Sequence, residues 1–371
     1  MLSLAERARR YAAVREEMAT RGIDVLLIVG RDGSGARGEH RYLAGYGIVA
    51  AFSHYIVFPA EDVEPVFFSG SSPAGNIGVA SGWVQDLRSS RKPLPEIAAE
   101  VAKFTRNGKI GVSSTIPLEL HRELARAHGE AVIVDASDCL RGPRIRKSDE
   151  ELDCVRRSAA IADLTFASVR EVVRPGLSDF EIYAEVRRAI HTARGEYSMD
   201  IIDVGDGTAA GGPQGRLVAA DGIAQVEMTP AWEGYYTQLR VPFSSDPGGW
   251  PHKWKPMLAA WEEGYRSAAE QLVPGSTAHE VQAAALAGVE RAGLVGRHRS
   301  GHGLGLEVDE FISISDDDAT VLEPGMVLVL HVPVRADELM LMTGGTFIIT
   351  GDGHEELNDL SSLMASTLEV G

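Results

Sequence analysis

The chain has 371 residues, enough for two domains of ordinary size. Apolar residues make up 44% and charged residues 24%, so a full core is available and disorder is not expected. The formal charge of −17 argues against nucleic acid, which wants basic stripes, and no apolar run approaches the length of a membrane span. The opening MLSLAERARR turns charged at once, so no secretory leader is expected. Cys139 and Cys154 have no CxxC spacing and read as reduced thiols of a cytoplasmic protein.

In chain order, Ser3 with Glu6 forms the first of four S/T-x-x-E capping boxes and opens a helix to about Thr20. VLLIVG at 25–30, YIVF at 55–58 and PVFFSG at 65–70 read as strands, with KIGV and AVIVDAS as shorter ones beyond. Helices at 95–105 and 117–128 fall between them, which predicts a layered α/β domain over 1–142. RGPRIRKSDE around 140–148 is polar, contains proline, and reads as the link to a second domain over 143–371. That domain opens with two helices, 148–172 and 178–194, capped by Ser148 with Glu151 and Ser178 with Glu181. VEMT and YYTQLRVPF then suggest a hairpin around TPAWEG. Helices return at 253–272 and 277–292, the latter capped by Thr277 with Glu280. MVLVLHVPV at 326–334 and TFIIT at 346–350 read as strands.

VVRPGLSDFEIYAEVRRAI at 172–190 echoes QLVPGSTAHEVQAAALAGV at 271–289. Two such copies predict a domain of two similar halves about a pseudo-twofold axis, against the alternative of two unrelated capped helices. GDGTAAGG at 205–212 and GHGLG at 301–305 are not GxGxxG between a strand and a helix, so no phosphate cradle is expected.

YLAGY at 42–46, IRKSDEELDCVRRSAAIAD, SGHGLGLEVDE, LEPGMVLVLHVPV and GHEELND together resemble the creatinase/prolidase/aminopeptidase P family. The resemblance spans nearly the whole chain. It implies a creatinase/prolidase-type α/β N-terminal domain followed by an α+β catalytic domain of the pita-bread fold. Metallopeptidases of that family hold two metal ions with two Asp, one His and two Glu. Here the first Asp position is Glu227, seven residues before Gly234, and the second is Gln238. The His is His302, the first Glu is His331, and the last Glu falls on Gly344. Two further family histidines fall on Gln214 and Asp309.

A dinuclear site needs bridging carboxylates to offset two dications; Gln238 is neutral and Gly344 has no side chain. No metal pair and no cofactor are therefore expected. Glu227, His302 and His331 would still make a two-His, one-carboxylate set for a single ion, which stays open. Within the resemblance, creatinase works without metal on a guanidino C–N bond. EGYYTQLR at 233–240 is similar to the creatinase GGYYTALER, and AFSHY at 51–55 to its FGR element, which binds substrate across a dimer interface. Phe52 keeps the aromatic ring; His54 stands in place of the arginine and cannot form a bidentate fork.

The expected catalytic set is His302, Glu227 and His331, with His302 as acid or base because imidazole titrates near working pH. His331 lies mid-strand, where alternation groups it with Val329, and a plain core histidine is the alternative. Glu227 needs a countercharge such as Arg240 or a histidine if it is buried. Expected substrate contacts are Gln214, Gln238, Tyr236, Asp309, Arg299, Phe52 and His54, with Asp200 and Asp203 bordering the same cavity; Glu310 is as readily a structural cap. The leading reading is a metal-independent, creatinase-like, homodimeric enzyme that cleaves a C–N bond of a small polar substrate. A mononuclear metalloenzyme and a non-catalytic binding module are the alternatives.

Overall fold

A computed structural model describes residues 2–32, 35, 37–48, 52–69, 75–106, 108–113, 115–196, 198–207, 211–246, 249–296 and 299–366. Ala51, Gly70 and Thr208–Ala210, which fall in stretches read above, lie outside them. The chain divides into two compact units, Met1–Ile145 and Arg146–Gly371.

The first unit runs α1 (Leu4–Arg21), β1 (Ile23–Gly30), α2 (Gly38–Ala44), β2 (His54–Pro59), β3 (Val66–Ser69), α3 (Gly75–Ala80), β4 (Asp86–Ser89), α4 (Pro93–Phe104), β5 (Lys109–Ser113), α5 (Leu118–His128), β6 (Ile133–Asp135) and α6 (Asp138–Ile145). Its six strands lie in the order β4-β3-β2-β1-β5-β6. The central β1 pairs antiparallel with β2 and parallel with β5. Val25, Leu27 and Val29 pack with Ile97 and Val101 of α4 and Leu120 and Leu124 of α5. Leu26 and Ile28, on the opposite face, are equally buried. A strand covered on both faces must be apolar throughout, which is why VLLIVG shows no alternation. The stretch expected as a polar link is helical through Pro143 to Ile145. An interior proline costs a helix about 3 kcal/mol; burial of Cys139, Leu140 and Arg144 offsets it.

The second unit runs α7 (Asp149–Val172), α8 (Asp179–Thr192), β7 (Ile201–Val204), β8 (Ile223–Met228), β9 (Ala231–Trp232), β10 (Tyr235–Tyr236), β11 (Leu239–Ser244), α9 (Lys255–Ala269), α10 (Ala278–Arg291), β12 (Val295–Gly296), β13 (Gly301–Gly303), β14 (Glu310–Ile314), β15 (Val327–Ala336), β16 (Leu339–Ile349), β17 (His354–Glu356) and α11 (Leu360–Ser366). The main antiparallel path is β14-β13-β15-β16-β11-β8-β7, with β12 joined to β15 and β17 to β16. The expected hairpin forms from β8 and β11, with β9 and β10 making a small ribbon at its tip.

The sequence echo is an echo in hydrogen bonds. Gly176 N donates to Val218 O at 2.8 Å, and Gly275 N donates to Leu322 O at 2.9 Å. The caps that follow pair as isolated bridges, Ser178 with Leu217 and Thr277 with Val321. Full capping boxes then start α8 and α10. This is the two-halved pita-bread plan. The α9/α10 pair crosses closely: a Cβ at Gly288 would lie 2.5 Å from Glu263 O.

Candidate active site

Strand register assembles the site. Across antiparallel neighbours, directly opposed residues point to one face, and so do alternate residues along a strand. His302 opposes Val329, Val329 opposes Thr346, and His331 opposes Gly344. Gly344 in turn opposes Arg240, which opposes Glu227. His302, His331, Arg240, Glu227 and Thr346 therefore share one face of the sheet, over five strands. Gln238, two residues before Arg240, joins them; its backbone N donates to Thr346 Oγ1 at 2.9 Å, and that hydroxyl donates back to Gln238 O at 3.0 Å.

His302 and His331 meet edge to face, with ring centroids 5.1 Å apart. The alternation that grouped His331 with Val329 thus turns it toward His302. His302 Nδ1 lies 3.1 Å from Gly303 O, and a carbonyl only accepts. The neutral ring therefore carries its proton on Nδ1 and its lone pair on Nε2. Burial lowers the His302 pKa from its ordinary value, partly offset by Asp309, whose Oδ1 is 3.9 Å from Nδ1. Burial pushes His331 well down, helped by the charges of His302, Arg240 and Arg299. Both rings are held toward the neutral form.

Arg240 Nη1 donates to Glu227 Oε2 at 3.2 Å, and neither side chain is more than 2% exposed. This is the countercharge that a buried Glu227 requires. The pair does not satisfy itself. Among the described residues, Glu227 Oε1, Arg240 Nε, Gln238 Oε1 and His331 Nδ1 are buried with no hydrogen-bond partner. Four such atoms on one face leave donors and acceptors for a polar ligand or for water.

The other anticipated residues divide. Arg299 and Asp309 form an ion pair beside His302, with Nη1 3.3 Å from Oδ1, and both are partly exposed. Glu310 holds the loop that carries Asp309: its Oε1 accepts from Glu307 N at 3.0 Å, and Lys147 Nζ lies 3.6 Å from its Oε2. Tyr236 packs with Ala231 and Val308 in a small apolar cluster. Asp200 clamps the entry to β7 by accepting from Ser198 and Thr229 N, and burial raises its pKa. Asp203 accepts from Gly207 N at 2.9 Å.

Two anticipated substrate contacts lie away from this row. Gln214 is exposed, at a turn whose backbone N–H groups at 214, 215 and 216 all donate to Asp179 at the start of α8. That Asx-type clamp fixes the turn and leaves Gln214 outside the sheet row. His54 does not project outward to reach a partner: it has no exposure, and its Nδ1 lies 3.0 Å from Tyr46 Oη, with His40 packed against its edge. Phe52, two residues earlier, is 47% exposed. Arg240 and Thr346 are the members that sequence reasoning did not place in the site. Their only signal was the countercharge Glu227 needed and a register that no local pattern states.

A model of metallopeptidase family M24 matches residues 153–353. The chain is 25% identical to a creatinase of Bacillus sp., over 95% of this chain and 90% of that protein. It is 27% identical to an agropine synthesis cyclase of Rhizobium rhizogenes, over 94% of each. A solved prolidase from Pyrococcus horikoshii superimposes with a TM-score of 0.81 at 22% identity, covering 94% of this chain and 97% of that one.

The family name implies a metal centre, and the residues present do not fit one. Among the described residues no three His, Cys, Asp or Glu side chains are placed to hold an ion. Glu227 is already bound to a guanidinium. Unit charges 4 Å apart interact by about 4 kcal/mol at an effective dielectric of about 20, and a dication beside Arg240 would double that as repulsion. Nor can Gly344 be restored as a ligand in place, because a Cβ there would lie 1.8 Å from Leu330 O.

Proposed function

Because the chain belongs to metallopeptidase family M24, yet sets a buried arginine among the residues that would bind metal, we propose a metal-independent, creatinase-like enzyme. It cleaves a C–N bond of amide or guanidino type in a small polar substrate. The observation that supports this most directly is His302, held neutral with Nδ1 tied to Gly303 O. A neutral imidazole with a free Nε2 lone pair is a general base at working pH.

The step balances with water. His302 Nε2 takes one proton from water as its oxygen bonds to the electrophilic carbon. The imidazolium then returns that proton to the departing nitrogen as the C–N bond breaks. Arg240 stabilises charge on the heteroatom that gains electrons, and Glu227 and Gln238 fix orientation. His331, in edge contact, keeps His302 in place and is disfavoured from taking a second charge. The same groups would serve ring closure, the chemistry named for the Rhizobium relative; labelled water separates the two, since only hydrolysis places its oxygen in product.

The test is activity across amides, guanidino acids and hydrazides, with metal content measured on protein purified without chelator. Turnover that survives EDTA and falls by about 10²–10⁴ in His302→Ala supports the proposal. Stoichiometric metal lost together with activity in His331→Ala replaces it with the single-ion reading. Retention of biological function in His302→Ala replaces it with the binding-module reading. We also propose a homodimer, with the exposed Phe52 at the contact; the sedimentation mass of wild type and Phe52→Ser checks it.

A further inference from the structure

Resting on that reading, the charges and spare hydrogen-bonding atoms of the site narrow the substrate. The two carboxylates whose charge reaches His302 are Asp309 and Glu227. Each is already held by an arginine, Asp309 by Arg299 and Glu227 by Arg240. A guanidinium substrate would meet two carboxylates that already hold arginines and would sit against those two fixed cations. Arg240 is the more severe obstacle, because at 1% exposure water does not screen it.

The leftover atoms point the same way. Arg240 Nε–H is an unmatched donor; Glu227 Oε1 and Gln238 Oε1 are unmatched acceptors. His331 Nδ1 is unmatched too, and a neutral imidazole nitrogen serves as either. One donor and two acceptors are the complement of a carbonyl oxygen flanked by two N–H groups. A single secondary amide offers only one N–H. A guanidinium offers N–H groups on every edge and no acceptor for Arg240.

We infer that the reacting group of the substrate is a neutral ureido group, its oxygen on Arg240 and its N–H groups on Glu227 and Gln238. Specificity against the guanidino analogue then resides in Arg240.

Ureidoacetate and guanidinoacetate test this, because they share a heavy-atom skeleton and differ at one atom, oxygen against NH₂⁺. Calorimetric binding to the full-length protein is expected to favour ureidoacetate by about tenfold or more, since like-charge juxtaposition is a strong discriminator. In Arg240→Gln, checked for folding by circular dichroism, that preference should collapse toward parity; in Arg240→Lys, which keeps the charge, it should persist. Guanidinoacetate binding as well as ureidoacetate, an unchanged ratio in Arg240→Gln, or no binding of either probe overturns the inference. Turnover separates it from the proposed reaction. Ureidoacetate that binds selectively but is not cleaved to glycine, ammonia and carbon dioxide preserves the inference and removes the hydrolase.

Discussion

At the scale of single residues, the Glu227–Arg240 pair decides what the site can be. Two buried charges stabilise a fold little when compared with apolar residues of the same shape, but removing one partner strands the other. Arg240→Met should therefore cost about 3–5 kcal/mol in urea unfolding, while the double change Glu227→Gln with Arg240→Met should recover much of it. A single variant no less stable than the double would show that the pair is not a buried ion pair. Glu227 was legible in the sequence as a carboxylate in need of a countercharge, and Arg240 was named for it. The arginine's place beside His331 was not legible. It depends on which residues of β11, β16 and β15 oppose one another, and register is set by the whole sheet, not by any segment. Gln214 and His54 lie away from the sheet row for a related reason. Motif position assigned them roles, but their side-chain directions depend on a clamp at Asp179 and on packing against His40 and Tyr46.

At the scale of elements, local chemistry was more readable. Three of the four expected capping boxes close in both directions, at Ser148, Ser178 and Thr277. The fourth is half made. Ser3 accepts from Glu6 N, but the Glu6 carboxylate is drawn to Arg9 and Arg10, its Oε1 2.7 Å from nitrogens of both. A carboxylate bound to two guanidinium groups gains more than one bound to a neutral backbone donor. Thr277→Ala should cost about 1 kcal/mol, and Ser3→Ala less, toward the 0.5 kcal/mol end of the range, read as shifts of urea midpoint at constant slope. Equal costs would mean that the reciprocal bond adds nothing. The elements the sequence missed include the short strand β4, and α2 and α6, the last disguised by Pro143. The two helices follow from burial rather than propensity, and burial is decided by the rest of the fold.

At the scale of the whole molecule, each unit contains a pair of buried histidines in edge contact, His40 with His54 in the first and His302 with His331 in the second. All four have pKa values lowered by burial, and His54 falls to about 4. Unfolding returns each to near 6.5, so the unfolded chain binds more protons at any pH between the two values. Stability contributed by these neutral rings is complete above about pH 6.5 and drains as pH falls toward the folded values. For His54 alone, a fall from 6.5 to about 4 corresponds to about 3 kcal/mol by the time both states are protonated. The urea midpoint should therefore drop steeply between pH 7 and pH 4.5, and His54→Gln should flatten that slope. Activity should survive below the ordinary imidazole range, because burial lowers the His302 value, and fail only as the pH falls past that depressed value and the Nε2 lone pair is lost. A midpoint that holds level from pH 7 to pH 4.5 would mean that water reaches these rings and that the buried polar face is not closed.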